Sequence, residues 1–198
     1  MKRLIAERTQ RIRRGIVKLI APTFYEWRLD TPRPMIRYIS KEFGNEPLVG
    51  IEIGVGMGEN AKSILRELNM KMLYLVDPYI PYYDGFTQNS EGYLAGLKIV
   101  KKELASLPNV TFICKKSEDA VNDIPYEIDF CYIDGNHSYD YVKKDIENYY
   151  SKVKSGGVIG GHDFSANFLE VCKAVIEFVT AHHLKLYGER NDWWVIKT

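Results

Sequence analysis

The chain has 198 residues, 45% of them hydrophobic, enough for one domain with a substantial core and a short appendage. Its 27 basic side chains nearly balance its 26 acids, which excludes a general nucleic-acid binder. No apolar run has the length needed to cross a bilayer, and Lys18 interrupts "GIVKLIAP", so no signal-peptide core forms.

The even balance hides an asymmetry at the N-terminus. Residues 1–20 hold Lys2, Arg3, Arg8, Arg11, Arg13, Arg14 and Lys18 against the single acid Glu7. Within "RLIAERTQRIRRGIVKLIAP", Ile5, Ile12, Ile16 and Leu19 approximate one helical face among the arginines. Such a helix packs on its own chain or stays solvated; peripheral contact with an anionic membrane surface and pairing with a second subunit are the alternatives. "DTPRPM" then reads as a turn into a further helix. Residues 1–46 are therefore expected to form a basic helical arm plus a helix, and residues 47–198 the main domain.

From Pro47 strands and helices alternate. "PLVGIEI" reads as a strand, "ENAKSILRELNM" as a helix with Ala61, Ile64, Leu65 and Leu68 on one face, and "KMLYLVD" as a second strand. Pro78–Glu91 is polar and aromatic, with Tyr79, Tyr82, Tyr83 and Phe86; with Tyr93 just beyond, it reads either as a lid that stacks on an acceptor or as a seal on the core edge. "YLAGLKIVKKELASL" follows as a helix with Leu94, Leu97, Val100 and Leu104 in register, and "NVTFICKK" as a third strand. "EIDFCYID" is the fourth strand. The run Ser138–Val153 is predicted helical, closed by "SGG" through a left-handed glycine. "VIGGHDF" is the fifth strand, "ANFLEVCKAVIEFVTAHH" a helix, and "LKLYGE" and "DWWVIKT" a terminal pair joined through Arg190 and Asn191. The implied fold is α/β: a mostly parallel sheet covered on both faces, ending in an antiparallel pair. Cys114, Cys131 and Cys172 each lie in an apolar run, with no CxxC spacing. They are expected to be buried reduced thiols, which suits a cytoplasmic protein.

The chemistry gathers at predicted strand ends. "EIGVGMGEN" places Gly54, Gly56 and Gly58 where the first strand turns into the first helix, so a ligand can approach backbone N–H groups. In the nicotinamide fingerprint the third glycine would fall at Glu59, and a carboxylate there repels a pyrophosphate. Asp77 ends the second strand, where an acid can accept from both ribose hydroxyls. Asp134 and Asp163 end the fourth and fifth strands, and "DGNH" puts His137 three residues past Asp134. Two carboxylates on adjacent strand ends can converge on a hard divalent cation such as Mg²⁺. Bland readings stand beside these: Asp134 and Ser117 as helix caps, His137 as a packed ring, and His182 and His183 at a helix C-terminus.

On these motifs the chain resembles the class I S-adenosylmethionine-dependent methyltransferases: "VGIEIGVGMGENA" is similar to their first motif and "LYLVDPY" to their second. More narrowly, "YIDGNHSYDYVKKDIENYYSKVKSGGVIGGHDF" resembles a small-methyltransferase group that includes the macrocin-type sugar O-methyltransferases. The resemblance implies a three-layer Rossmann-like methyltransferase fold. It implies that Glu52, Gly54, Gly56 and Gly58 line the methionine end of S-adenosyl-L-methionine, that Asp77 holds the ribose, and that Ser117 and Glu118 lie near the adenine. Asp134 would face the transferable methyl. In the macrocin-type relatives, acids at the positions of Asp134 and Asp163 bind metal, which by this resemblance would be Mg²⁺ here, and the histidine at the position of His137 is the base. Phe164 follows Asp163 where the catechol-type metal enzymes carry Asp or Asn, so a third protein ligand is missing. The N/D-P-P-Y/F run of amino methyltransferases is absent after the fourth strand, which favours oxygen of a small acceptor, a sugar or glycoside. The alternatives are a NAD or nucleotide-sugar enzyme and a non-catalytic S-adenosylmethionine-binding module.

Overall fold

In a computed structural model the described residues are 31–80 and 90–198. The arm at residues 1–20 and the aromatic positions Tyr82, Tyr83 and Phe86 lie outside them. In chain order the elements are α1 (Pro34–Phe43), β1 (Leu48–Ile53), α2 (Glu59–Glu67), β2 (Met70–Val76), α3 (Ser90–Leu104), β3 (Val110–Ile113), α4 (Ser117–Ala120), β4 (Ile128–Ile133), α5 (Tyr139–Tyr150), β5 (Val153–Gly161), α6 (Leu169–Ala181), β6 (Tyr187–Glu189) and β7 (Asp192–Ile196).

The strands form one sheet in the order β3-β2-β1-β4-β5-β7-β6. β1 to β5 pair in parallel, while β7 pairs antiparallel with both β5 and β6, as the strand pattern predicts. The order reverses between β1 and β4, so their carboxyl ends open a crevice where such sheets bind ligands. β4 is central, and all six residues of "IDFCYI" are buried; β3, at the edge, is mostly half-buried. One apolar layer joins Ile51, Ile133, Ile146 and Val175, and the other joins Ile36, Ile64, Leu75 and Val100 across the opposite face.

Arg33–Thr198 forms one compact unit, so α1 belongs to the same body as the sheet. Pro34 suits the first helical turn, where its missing N–H costs nothing, and Met35, Ile36 and Ile39 are fully buried. The Met35 N–H donates to the buried Asp192 at 3.1 Å, which ties the helix start to β7.

Several expectations are corrected. α5 ends at Tyr150, and Val153 and "SGG" belong to β5. Gly156 does adopt a left-handed φ of 77°, but within the strand. Ile128 pairs with Val153 and Phe130 with Val158, so the extra residues loop out of the ladder; Lys154 there bonds Asp129 at 2.5 Å. A local glycine pattern cannot distinguish a helix stop from a bulge, because both need the same backbone freedom. Leu94 is exposed: α3 meets the core through Tyr93, Leu97, Val100 and Leu104, and Leu94 lies off that face. Of the cysteines only Cys131 is buried; Cys114 lies past the edge strand β3 and is exposed, and Cys172 is half-buried on α6. No helix among the described residues is long and apolar enough to cross a membrane.

Candidate active site

The glycine loop leaves β1 at Gly54, whose φ of 83° suits glycine. A Cβ at Gly54 would fall 2.1 Å from the Asp134 carbonyl oxygen, because the tails of β1 and β4 run side by side. Asp134 N–H donates to Ile53 O at 2.8 Å and Gly54 N–H to Val76 O at 2.9 Å, so three strand ends are locked at the crevice. Gly54→Ala is therefore expected to destabilise the protein by about 4 kcal/mol or more, read by denaturant titration, because neither backbone can yield.

Asp77 shapes this loop. Its Oδ2 accepts from Val55 N–H and Gly56 N–H, each at 3.0 Å, and its Oδ1 accepts from Tyr79 N–H at 2.8 Å. Burial pushes the carboxyl up, and the three backbone donors pull it part of the way back. Both lone pairs of Oδ2 are thus taken, while Oδ1 keeps a second one for a ribose hydroxyl. Glu52 lies beneath the loop rather than on the cavity wall. Asn60 Nδ2 donates to its Oε1 at 3.0 Å, while Oε2 is buried without a hydrogen-bond partner. Burial raises the Glu52 carboxyl to about 8 against the opposing Asn60 bond. Gly58, with φ 75°, caps α2 and does not line the cleft either. Tyr79 is buried in the core, in keeping with the sealing alternative of its stretch, whereas Tyr93 lines the cleft.

Beyond β2 a small cavity is lined by Pro78, Ser117, Asn136, Tyr141 and Asp145, among others. Ser117 does not cap α4; its hydroxyl donates to Asp145, and Tyr149 OH donates to the Ser117 carbonyl at 2.8 Å. Burial lifts Asp145 to about 7, with the Ser117 bond opposing. Glu118 lines neither cavity and pairs with Lys144 at 3.4 Å on the surface. Asn136, Tyr141 and Asp145 escaped the sequence reading, although an acid beside Ile146 on the apolar stripe of a helix is a detectable signal.

The larger cavity, of about 480 Å³, is walled by Gly54, Gly56, Asp77, Tyr93, Asp134, His137, His162, Asp163 and Phe168. That is ample for a small ligand. Here the structure gathers the strand-end residues. His137 Nε2 is 2.8 Å from Asp163 Oδ2, and His162 Nδ1 is 3.0 Å from Asp163 Oδ1. Asp163, two residues past β5, is held at φ 61° between the two imidazoles. Burial alone would raise it, but the hydrogen bonds from His137 and His162 win and hold it well below the usual carboxylate range. The Phe168 ring packs on His137 with centroids 4.8 Å apart. His162, read from sequence as an orienting or filling residue, is thus a full member of the cluster.

Asp134 faces a residue that sequence reasoning did not single out. Arg33, at the start of α1, reaches Asp134 Oδ2 at 3.0 Å and donates to Tyr132 OH at 3.1 Å. Tyr132 in turn donates to Asp192 at 3.0 Å. Burial raises Asp134, and Arg33 and His162 draw it down.

Ligand atoms of Asp134, Asp163 and His162 lie within 4.8 Å of one another, so the two expected acids do converge. The donor set does not fit Mg²⁺, however. Mg²⁺ favours oxygen, and the third group is an imidazole. The Nδ1 that would ligate already meets Asp163, both Asp163 oxygens are engaged, and Asp134 already holds a guanidinium. The glycine loop, by contrast, fits S-adenosylmethionine: Gly56 leaves open space where a Cβ would stand, and Glu52 Oε2 is buried beneath without a hydrogen-bond partner.

Comparison with known proteins fixes the class. The family model described as a methyltransferase domain matches residues 51–164, more than half of the chain. No curated protein matches by sequence. Among solved structures, the O-methyltransferase NovP is similar at a TM-score of 0.63 and 18% identity, over 86% of this chain and 79% of that one. An rRNA methylase from Streptococcus thermophilus is similar at 0.58 and 14%, over 82% and 94%. A Streptococcus mutans protein solved in complex with SAH is similar at 0.59 and 13%, over 83% and 97%. The reversal of strand order, the glycine cradle beside Asp77 and the matched family together make this chain a member of the methyltransferase-domain family, a class I S-adenosylmethionine-dependent methyltransferase.

Proposed function

We propose that the chain methylates a hydroxyl oxygen of a small polar acceptor, a sugar or glycoside. The observation that carries this reading is the His137–Asp163 pair, 2.8 Å apart, on the wall of the cavity that the glycine loop also lines. In this reading the Gly54–Gly56 loop, backed by Glu52 beneath it, holds the methionine end of the cosubstrate, Asp77 the ribose, and Ser117, Asn136, Tyr141 and Asp145 the adenine.

The bound sulfonium supplies an activated methyl carbon. The chain's own task is to orient the acceptor and remove its proton. With the cosubstrate bound, the acceptor oxygen would take the methyl carbon as the carbon–sulfur bond breaks and its electron pair stays on the thioether sulfur, while the hydroxyl proton passes to His137. His137 Nδ1 is buried, which leaves Nε2 to take the proton; Asp163, 2.8 Å away, accepts from the Nε2–H so formed and stabilises the imidazolium. Asp134 finishes β4 beside Gly54 and faces the same cavity, where its charge supports the sulfonium side of the displacement. Tyr93 and Phe168 offer flat walls for a sugar ring. Titration calorimetry with S-adenosylmethionine and with NAD, followed by product analysis with panels of glycosides, phenols and amines, tests the reading. Binding of the first ligand alone and an O-methyl glycoside are the expected results; an N-methyl product overturns oxygen chemistry, and NAD binding overturns the class of ligand.

A further inference from the structure

We propose that the Arg33 guanidinium is the resident cation of the Asp134 cluster, so that methyl transfer by this chain needs no divalent metal. The inference rests on the functional reading above, in which Asp134 faces the reacting groups.

Arg33 is fixed rather than loosely placed. One arm of its fork meets Asp134 Oδ2 at 3.0 Å and the other meets Tyr132 OH at 3.1 Å, with the guanidinium carbon 5.6 Å from the Tyr132 ring centroid. Its backbone caps α1, whose next residues are buried and whose Met35 N–H bonds Asp192. Asp192 also accepts from Tyr132 OH, so the support of Arg33 closes on itself through β4, β7 and α1. Both negative charges at the cleft are then answered from within the chain: Asp134 by Arg33, and Asp163 by donors from His137 and His162. A divalent ion placed among Asp134, Asp163 and His162 would lose the His162–Asp163 bond and meet a like charge at Asp134. Arg33 does not line the cavity, so it is a positioning residue that acts through Asp134. A guanidinium suits this because it stays charged and its planar fork fixes direction, as a compact ammonium does not.

The test uses the full chain, freed of metal by a chelator. Binding of S-adenosylmethionine is measured first, since its loss would count against the functional reading and not against this inference. Turnover of the acceptor found above is then expected to persist in the chelator. Arg33→Met is expected to lose about 10²-fold in kcat, as for other preorganised electrostatic donors, and Arg33→Lys to recover part of that loss. Mn²⁺ serves as the probe of the vacated cluster: by paramagnetic resonance it should bind Arg33→Met and not the wild type. A merely structural role for Arg33 would not produce that gain. Should Arg33→Met fail to fold, the wild type decides alone. Chelator-sensitive turnover restored by Mg²⁺ or Mn²⁺, or Mn²⁺ held by the wild-type cluster, overturns the proposal.

Discussion

His137→Ala is expected to lower kcat by about 10²–10⁴-fold, the usual contribution of a positioned general base, while S-adenosylmethionine affinity stays near that of the wild type. The separation follows from placement. His137 lies past β4 and bonds Asp163, whereas the glycine cradle is held by Asp77 and the β1 and β2 tails. Asp163→Asn is expected to cost a similar factor for a different reason. Its amide offers Nε2–H a neutral acceptor at best, so the imidazolium formed during transfer loses its counter-charge. Single-turnover kinetics beside calorimetry check both variants. Turnover by His137→Ala at the wild-type rate would remove the imidazole from the chemistry and point to Asp134 as the proton acceptor.

The second large effect concerns Glu52 in the ligand-free protein. Its usual value of 4.5 applies in the unfolded chain, and burial lifts the folded carboxyl to about 8 despite the Asn60 bond. The folded state therefore keeps a proton that the unfolded state sheds, and stability contributed by this residue falls as pH rises through that window. The loss is about 1.4 kcal/mol per pH unit at most, so it sums to a few kcal/mol. It is complete above pH 8 and absent below pH 4.5. Glu52→Gln copies the protonated acid in shape and does not titrate. Its melting temperature should match the wild type near pH 4.5 and exceed it increasingly up to pH 8. At about 2–4 °C per kcal/mol the difference reaches roughly 5–15 °C at the alkaline end. Equal melting curves across the range would show that Glu52 ionises freely in the fold, contrary to its burial. The buried carboxyl beneath the glycine loop is thus costly to ionise in the fold.

The alternation of strand and helix, the parallel sheet with its antiparallel end, the glycine loop and the acids Asp77, Asp134 and Asp163 were all legible in the residue pattern. Each is a local signal: a period along a strand or helix, a glycine at a forced turn, or an acid that closes an apolar run. Knowledge of strand order then put Asp134 and Asp163 side by side. What tertiary structure alone decided is which groups answer those acids. Arg33 stands 99 residues from Tyr132 along the chain, and no spacing rule links them; α1 docking on β7 through Met35 and Asp192 brings them together. Asp145 and Ser117 met in the same way, through α5 packing against α4. The bulge in β5 was decided by pairing with β4, which a glycine pair cannot announce. Periodicity is written into neighbouring residues because the backbone imposes it, whereas the partner of a buried charge is chosen by packing among elements distant in sequence.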